Sequence, residues 1–153
     1  MTAPSKFDHP IIEHGSRAYW DCVALRDEIL RIPLGLKLSR EDLEAEGDSH
    51  HLAGYVENRL VACLVLKPLG EGKVRLRQMA VAKSSQRKGI GSALMKFAES
   101  HARRLGYSEI IMHARESAVP FYEKLGYAVE GERFTEVTLP HFVMQKFLRP
   151  KMK

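Results

Sequence analysis

The chain has 153 residues, of which 44% are hydrophobic, and a formal net charge of +5. This length fits one domain over residues 1–153, and the composition excludes an intrinsically disordered chain. The positive charge suits an anionic ligand, but acidic residues are interspersed and no long basic run occurs, so we expect no nucleic-acid partner. The N-terminus shows no signal peptide and no apolar run has the length of a membrane span, which predicts a cytoplasmic protein without membrane contact.

Cysteine and histidine positions argue against a disulfide and a metal site. Cys22 and Cys63 each lie within an apolar pattern, which predicts two buried thiols. His50 and His51 are adjacent on a predicted strand and therefore point to opposite faces, so they cannot easily share one ion. We expect no metal.

Amphipathic spacing and turn residues predict the elements of the first half of the chain. They are a strand at 11–12, a helix at 16–30, a second helix capped by Ser39, a hairpin of strands 50–57 and 60–67, and a strand at 74–81. The predicted first helix ends before the Ile-Pro-Leu-Gly-Leu segment at 32–36, and a glycine turn at 70–72 leads into the last of these strands.

A glycine-bearing turn follows this strand, with the sequence Gln-Arg-Lys-Gly-Ile-Gly at 86–91. It opens an amphipathic helix, and unpaired N–H groups at such a helix start favour an anion. Gly89 and Gly91 lack Cβ atoms, so a phosphate can approach the backbone closely. The turn predicts a pyrophosphate site, although an ordinary strand-to-helix turn is the alternative. Walker and dinucleotide-binding patterns do not match, because no lysine follows Gly91 and Leu94 replaces the third glycine.

The apolar face of this helix is predicted from seven positions at helical spacing: Ile90, Ala93, Leu94, Phe97, Ala98, His101 and Leu105. Beyond it we predict a strand at 109–114, a helix capped by Ser117, and strands at 127–129 and 141–147. Residues 131–140 are predicted to form a long connection that lines a site. Residues 149–153 are predicted to form a flexible tail.

Two further segments accompany the glycine turn. Gln-Met-Ala-Val at 78–81 precedes it, and Ala-Val-Pro-Phe-Tyr-Glu-Lys-Leu-Gly-Tyr at 118–127 follows. With these motifs in this order, the chain resembles the GNAT superfamily of acyl-CoA-dependent N-acyltransferases. The resemblance implies an α/β (α+β) fold with a mixed, twisted sheet of six to seven strands, about four flanking helices and a splay at the central strands. It also implies acetyl-CoA as the co-substrate.

The resemblance assigns residues to acetyl-CoA. Backbone amides near Met79, Ala80 and Val81 are expected to bind the pantetheine arm and the thioester oxygen. The pyrophosphate is expected on Gln86, Arg87, Lys88, Gly89, Ile90, Gly91 and Ser92. Phe121 is expected to pack against the cofactor or the core.

Catalytic roles fall to two residues. By resemblance, Tyr122 lies near the sulfur of coenzyme A, where a phenol can protonate the leaving thiolate. The alternative is a tyrosine that only packs. Many relatives carry a glutamate that acts as general base at the position of Arg75, so His113 or Glu28 is the substitute base to weigh. The alternatives are a histidine satisfied in or beside the core, a glutamate on a solvated helix face, and a chain without a dedicated base.

Acceptor contacts are predicted at Arg26, Glu28, Glu136 and His141. Arg26 lies on the otherwise apolar face of the first helix, where it either binds a substrate anion or pairs with an internal acid. Glu136 and His141 resemble a closing signature of one bacterial branch of the superfamily, and a structural role is the alternative.

The predicted function is transfer of an acetyl group from acetyl-CoA to the primary amine of a small molecule in a direct ternary complex. Two rivals remain, a protein or peptide N-acetyltransferase and a non-catalytic acyl-CoA sensor. Relatives in the superfamily often form homodimers, which is compatible with this chain.

Overall fold

The computed structural model describes residues 7–149. Most of the predicted tail therefore lies outside the described residues. The helices are α1 (Arg17–Arg26), α2 (Arg40–Glu44), α3 (Ile90–Arg104) and α4 (Val119–Lys124). The strands are β1 (Phe7–Asp8), β2 (Ile11–Ile12), β3 (His50–Val56), β4 (Arg59–Gly70), β5 (Lys73–Val81), β6 (Glu109–Arg115), β7 (Ala128–Glu136) and β8 (Leu139–Phe147).

These strands form one mixed sheet within residues 7–149, in the order β1-β3-β4-β5-β6-β8-β7, with β2 also paired to β3. β5 and β6 run parallel and are joined through α3, as a parallel pair requires a long crossover. The other recorded pairs are antiparallel. Eight strands take part, rather than the predicted six to seven.

The sheet splits between β5 and β6. Their pairing begins at Lys73 and Glu109 and ends at Leu76 and Met112. Beyond these residues the two strands separate. In addition, the β4–β5 register shifts between Cys63 and Val65, so two β5 residues lie opposite one β4 residue. Such a β-bulge bends and twists its strand, which helps to open the split.

Helices cover both faces of the sheet. Val74 and Leu76 belong to the larger core, which contains buried residues of α3 and α4. A smaller core contains Cys22 of α1 together with Cys63 of β4, and both cysteines are free and buried, as predicted. Because side chains alternate along a strand, the intervening Arg75 and Arg77 point to the α1 face.

Four local predictions need correction. The first helix ends at Arg26 and continues as a π-helical turn at Asp27–Arg31. Ser117 does not cap α4, because it lies in a 3-10 turn and α4 follows Ala118 without a side-chain cap. The buried residues of α3 are Leu94, Met95, Ala98, Glu99 and Ala102. The predicted face is thus rotated, and both Ala93 and Leu105 are exposed.

The fourth correction concerns residues 131–140, which are strand and not a long loop. β7 and β8 pair down to Glu136 and Leu139, and Val137 and Thr138 alone make the turn. Both turn residues have positive φ, 49° and 64°. β-Branched residues seldom adopt this conformation, so the sequence lacks the usual hairpin signal.

No helix in the described range is long and apolar enough to cross a membrane. Within the same range, no group of three His, Cys, Asp or Glu side chains is arranged to hold a metal ion. His50 and His51 do point to opposite faces: His50 Nε2 contacts the Tyr107 hydroxyl, and His51 Nε2 contacts Glu46 O.

Candidate active site

A cavity of about 540 Å³ lies where β5 and β6 separate. Its lining includes Leu76, Ala114 and Tyr122 from the face covered by α3 and α4, and Arg77 and His113 from the α1 face. It therefore passes through the split and joins the two faces of the sheet. Loop residues 36–37, the end of β7 at Glu136 and the turn at Val137 border it as well.

The bulge in β5 supplies polar backbone to this cavity. Gln78 has φ of +55°. Both Gln78 and Met79 line the cavity, on the other side of the split from β6. Past Leu76, the β6-facing edge of β5 has no strand partner within the described residues. The side-chain Oε1 of Gln78 is buried and accepts no hydrogen bond there. An unpaired buried acceptor is costly, so this atom is a natural contact for a ligand N–H group.

Tyr122 reaches the cavity from α4. Only 7% of the residue is exposed, and its ring packs edge-on against Phe121 and Tyr127. Burial raises the pKa of the phenol, so it remains protonated throughout the neutral range. A buried, protonated hydroxyl at the split is able to donate a proton to a leaving group.

His113, Glu136 and Arg75 form a polar cluster on the α1 face of the split. His113 Nδ1 lies 2.9 Å from Glu136 Oε1 and 2.9 Å from Arg75 Nη2. Burial acts to raise the pKa of Glu136, but the hydrogen bond and charge of His113 and the charge of Arg75 together lower it. Glu136 is therefore a carboxylate at neutral pH, suited to orient His113.

His141 lies beside this cluster and also lines the cavity. Its Nδ1 donates to Leu139 O at 2.8 Å, which leaves Nε2 toward Glu136 Oε2 at 3.8 Å. The structure thus brings together three of the predicted site residues, His113, Glu136 and His141, at one end of β6 and β8.

Two predicted acceptor contacts lie elsewhere. Arg26 is 1% exposed and does not line the cavity. It donates from Nη1 and Nη2 to the two carboxylate oxygens of Glu46, and Glu46 also accepts from the Tyr19 hydroxyl. Arg26 therefore pairs with an internal acid, the second of its two predicted roles. Glu28 is exposed and outside the cavity lining.

The glycine turn lies at the start of α3. Gly89 precedes the helix with φ of +79° and no side chain caps the first turn, so the first N–H groups of α3 remain available. Gln86 ties the turn to the end of β5, because its Nε2 donates to Val81 O at 2.9 Å. A Cβ atom at Gly91 would meet Phe121, Met79 and Val81 at 3.4–3.5 Å.

A pyrophosphate group fits this turn. The predicted loop residues Arg87, Lys88 and Gly89 are all exposed, and their charges and N–H groups face no carboxylate within ion-pairing distance among the described residues. Positive charge and free amides at a helix start are the chemistry that binds phosphate.

Sequence reasoning missed two arginines. Arg31 and Arg115 both line the cavity. Arg115 had a weak signal, since alternation from His113 places it on the same face of β6. Arg31 had none, because the π-helical turn that carries it into the cavity left no recognisable pattern.

A mixed sheet that splits beside a bulged strand, followed by an open helix start, defines the fold class of N-acyltransferases. The model of the family described as "Acetyltransferase (GNAT) domain" matches residues 35–148. An uncharacterized N-acetyltransferase of Bacillus subtilis, YjcF, is 31% identical over 134 residues, which cover 82% of this chain and 90% of the relative.

Solved structures of acyltransferases share the fold of this chain. An acyl-CoA N-acyltransferase from Pseudomonas aeruginosa has a TM-score of 0.78 at 22% identity, covering 92% of this chain and 99% of that one. A GNAT family acetyltransferase from Elizabethkingia anophelis with acetyl-CoA bound has a TM-score of 0.73 at 18% identity, covering 93% and 98%. The chain belongs to the GNAT acetyltransferase family and is an acetyltransferase. The predicted superfamily and fold class are thereby confirmed.

Proposed function

We propose that the protein transfers an acetyl group from acetyl-CoA to the primary amine of a small molecule, directly within a ternary complex. One observation carries this proposal: the cavity passes through the split and presents a buried phenol, Tyr122, and a carboxylate-linked imidazole, His113, to the same space. The first group can protonate a leaving thiolate, and the second can accept a proton from an amine.

When bound, acetyl-CoA would supply the acetyl thioester. The N–H groups from Arg87 to Ser92 at the start of α3 would hold its pyrophosphate, and β5 from Gln78 to Val81 would bind its pantetheine arm along the unpaired edge. Phe121, which contacts the Gly91 position, would support this loop from α4. Backbone amides fixed in this way stabilise negative charge on a carbonyl oxygen, because they need no reorganisation.

His113 is the proposed base. If its Nδ1–H donates to Glu136, the lone pair of Nε2 is available for the proton of the attacking amine. Tyr122 is the proposed acid, and the raised pKa of its phenol keeps the proton in place until the thiolate leaves. Glu136 positions His113, while His141 holds the adjoining end of β8 through Leu139 O.

The size of the cavity favours a small acceptor. Its volume of about 540 Å³ lies within the roughly 300–1,000 Å³ typical of small-molecule sites. Loop residues near Leu36 and the turn at Val137 border it on two sides, whereas a polypeptide acceptor needs a groove that is open along its length.

The test is release of coenzyme A from acetyl-CoA across amino acids, amino sugars, arylamines, polyamines and short peptides. Tyr122→Phe should lower kcat for the best acceptor by roughly 10²-fold or more, the usual contribution of a general acid, with acetyl-CoA affinity preserved. Tyr55→Phe is the matched control, because Tyr55 is half-buried in β3 outside the cavity lining. Acetylation of peptides alone would contradict the small-molecule proposal.

A further inference from the structure

Charged residues in the cavity lining are mostly cationic. Among the described residues of the lining, the cations are Arg31, Lys37, Arg75, Arg77 and Arg115, and the acids are Asp42 and Glu136. Both acids are already engaged: Glu136 contacts Arg75 and His113, and Asp42 forms the capping box of α2 with Ser39. Positive charge in the cavity is therefore largely uncompensated.

Two of these guanidinium groups meet at one backbone carbonyl. Arg115 Nη2 donates to Leu30 O at 2.8 Å, and Arg31 Nη1 donates to the same oxygen at 3.4 Å. Both side chains are half-buried, and no carboxylate of the described range lies within ion-pairing distance of either. The π-helical turn brings Arg31 to this position, while the end of β6 contributes Arg115.

Holding two like charges together away from water is unfavourable. Burial, followed by repulsion from Arg115 and Arg26, lowers the pKa of Arg31, and burial lowers the pKa of Arg115. An anion between the two groups would offset both effects. Planar guanidinium groups also match the geometry of carboxylate and phosphate oxygens.

The phosphates of coenzyme A do not explain this pair. The glycine turn contributes no residue to the lining of the cavity at the split. Instead, Lys88, Gly89 and Ile90 line a separate cavity bordered by β3 and β4. Arg31 and Arg115 lie on the α1 face with His113, where the acceptor amine is proposed to bind.

We propose that the acceptor is an amine that also carries a carboxylate or phosphate group, and that Arg31 and Arg115 bind this anionic group. The inference rests on the proposed function for the acetylation of an amine. It also predicts that polycationic amines are poor acceptors, because the same five cations repel them.

Kinetics would compare anionic amines with uncharged counterparts: 3-aminopropanoate with 3-aminopropanamide, and phosphoethanolamine with ethanolamine, with spermidine as the polycation. We expect kcat/KM to favour one or both anionic amines by roughly 10-fold or more, the effect of a charge-assisted hydrogen bond. Arg31→Gln and Arg115→Gln should each remove this preference by raising KM for the anionic amines. Arg31→Lys should retain part of the preference that Arg31→Gln loses. The two pairs distinguish carboxylate from phosphate.

Arg40→Gln is the matched control, since it removes the same charge from a side chain that is 91% exposed. It should leave the preference unchanged. Equal kcat/KM for anionic and uncharged amines in the wild type, or a preference that persists in both cavity variants, would overturn the inference.

A binding measurement separates this inference from the proposed function. Calorimetric titration with inorganic phosphate and with succinate, in the presence of saturating coenzyme A, should show binding that weakens roughly 10-fold in either cavity variant. Amine acetylation without charge preference and without anion binding would overturn the inference and leave the proposed function standing. Anion binding that both variants lose, with no amine acetylated, would support the anion site and contradict the proposed function. Thermal denaturation of each variant confirms that it is folded.

Discussion

One nitrogen atom, His113 Nδ1, determines what the proposed base can do. It lies 2.9 Å from a group that only donates, Arg75 Nη2, and 2.9 Å from one that only accepts, Glu136 Oε1. A neutral imidazole can satisfy one of these contacts at a time. With the proton on Nδ1, the imidazole donates to Glu136, and the lone pair of Nε2 can act as the base. With the proton on Nε2, Nδ1 accepts from Arg75, and Nε2 can no longer accept a proton from the amine. The two partners therefore compete to set the tautomer.

This competition gives a prediction for His113→Gln. We expect kcat/KM at pH 7 to fall by roughly 10²-fold, the usual contribution of a general base. The difference in kcat/KM between the variant and the wild type should narrow at pH 9, because a larger share of the amine is then neutral without a base to remove its proton. The measurement is a pH profile of kcat/KM for variant and wild type. His9→Gln serves as the control, since His9 stacks on Phe97 of α3 outside the cavity. An equal deficit at every pH would contradict a role as base.

For single residues, the sequence predicted which side chains are unusual better than it predicted which partners they contact. Arg26 was recognised as an unusual arginine on an apolar face, but its partner Glu46 lies 20 positions away and had no pattern of its own. Arg31 and Arg115 meet at Leu30 O only after the turn and β6 are folded together. Contacts between distant segments are set by tertiary packing, which local spacing does not encode.

At the scale of elements, the start of α3 joins the sheet to the proposed cofactor site. Gly89→Ala places a Cβ atom in open space, but the φ of +79° is strained for alanine. We expect the free energy of unfolding to fall by about 1–2 kcal/mol. If the loop relaxes instead, its N–H groups turn away, and the Kd for coenzyme A should rise roughly 5- to 10-fold.

Gly91→Ala is the matched control for this change. Its Cβ atom would contact Phe121 at 3.4 Å, and its backbone is helical, so alanine meets no φ strain. Chemical denaturation and calorimetric titration with coenzyme A measure both quantities. The same loss of affinity and stability in both variants would refute a special role for the conformation of Gly89.

Elements with a local signal were predicted well. Ser39 caps α2 as predicted, and it does so through a capping box with Asp42. The β3–β4 hairpin turns at Glu57 and Asn58, both with positive φ. The β7–β8 hairpin was missed because Val137 and Thr138 occupy a turn that β-branched residues disfavour. The family resemblance implies the splay of the central strands, but no local feature of the sequence marks the bulge at Gln78 that accompanies it.

At the scale of the whole molecule, three buried or half-buried histidines couple stability to pH on both faces of the sheet. Burial lowers the pKa of His50, of His51 and of His101, in the last case with repulsion from His50 as well. His50 and His101 contact each other between the sheet and α3, and His51 packs on Tyr19 of α1. Both layers of helices are therefore affected when these residues are protonated.

The sign of the effect follows from proton binding. Above about pH 6.5 these histidines are neutral in both folded and unfolded chains, so they add no pH dependence. As pH falls through 6.5, the unfolded chain binds protons that the folded protein resists, and the folded state loses stability. We expect the free energy of unfolding, measured in urea, to change little between pH 7.5 and pH 6.5 and to fall from there to pH 5.5.

His51→Gln should reduce this slope, because glutamine cannot be protonated, while its amide nitrogen can still donate to Glu46 O. Its absolute stability is expected to change as well, so the slope is the quantity to compare. Proton uptake on unfolding at pH 6, from calorimetry in two buffers of different ionisation enthalpy, must match the slope. A free energy of unfolding that is constant or rises between pH 7.5 and pH 5.5 would show that burial does not keep these histidines neutral.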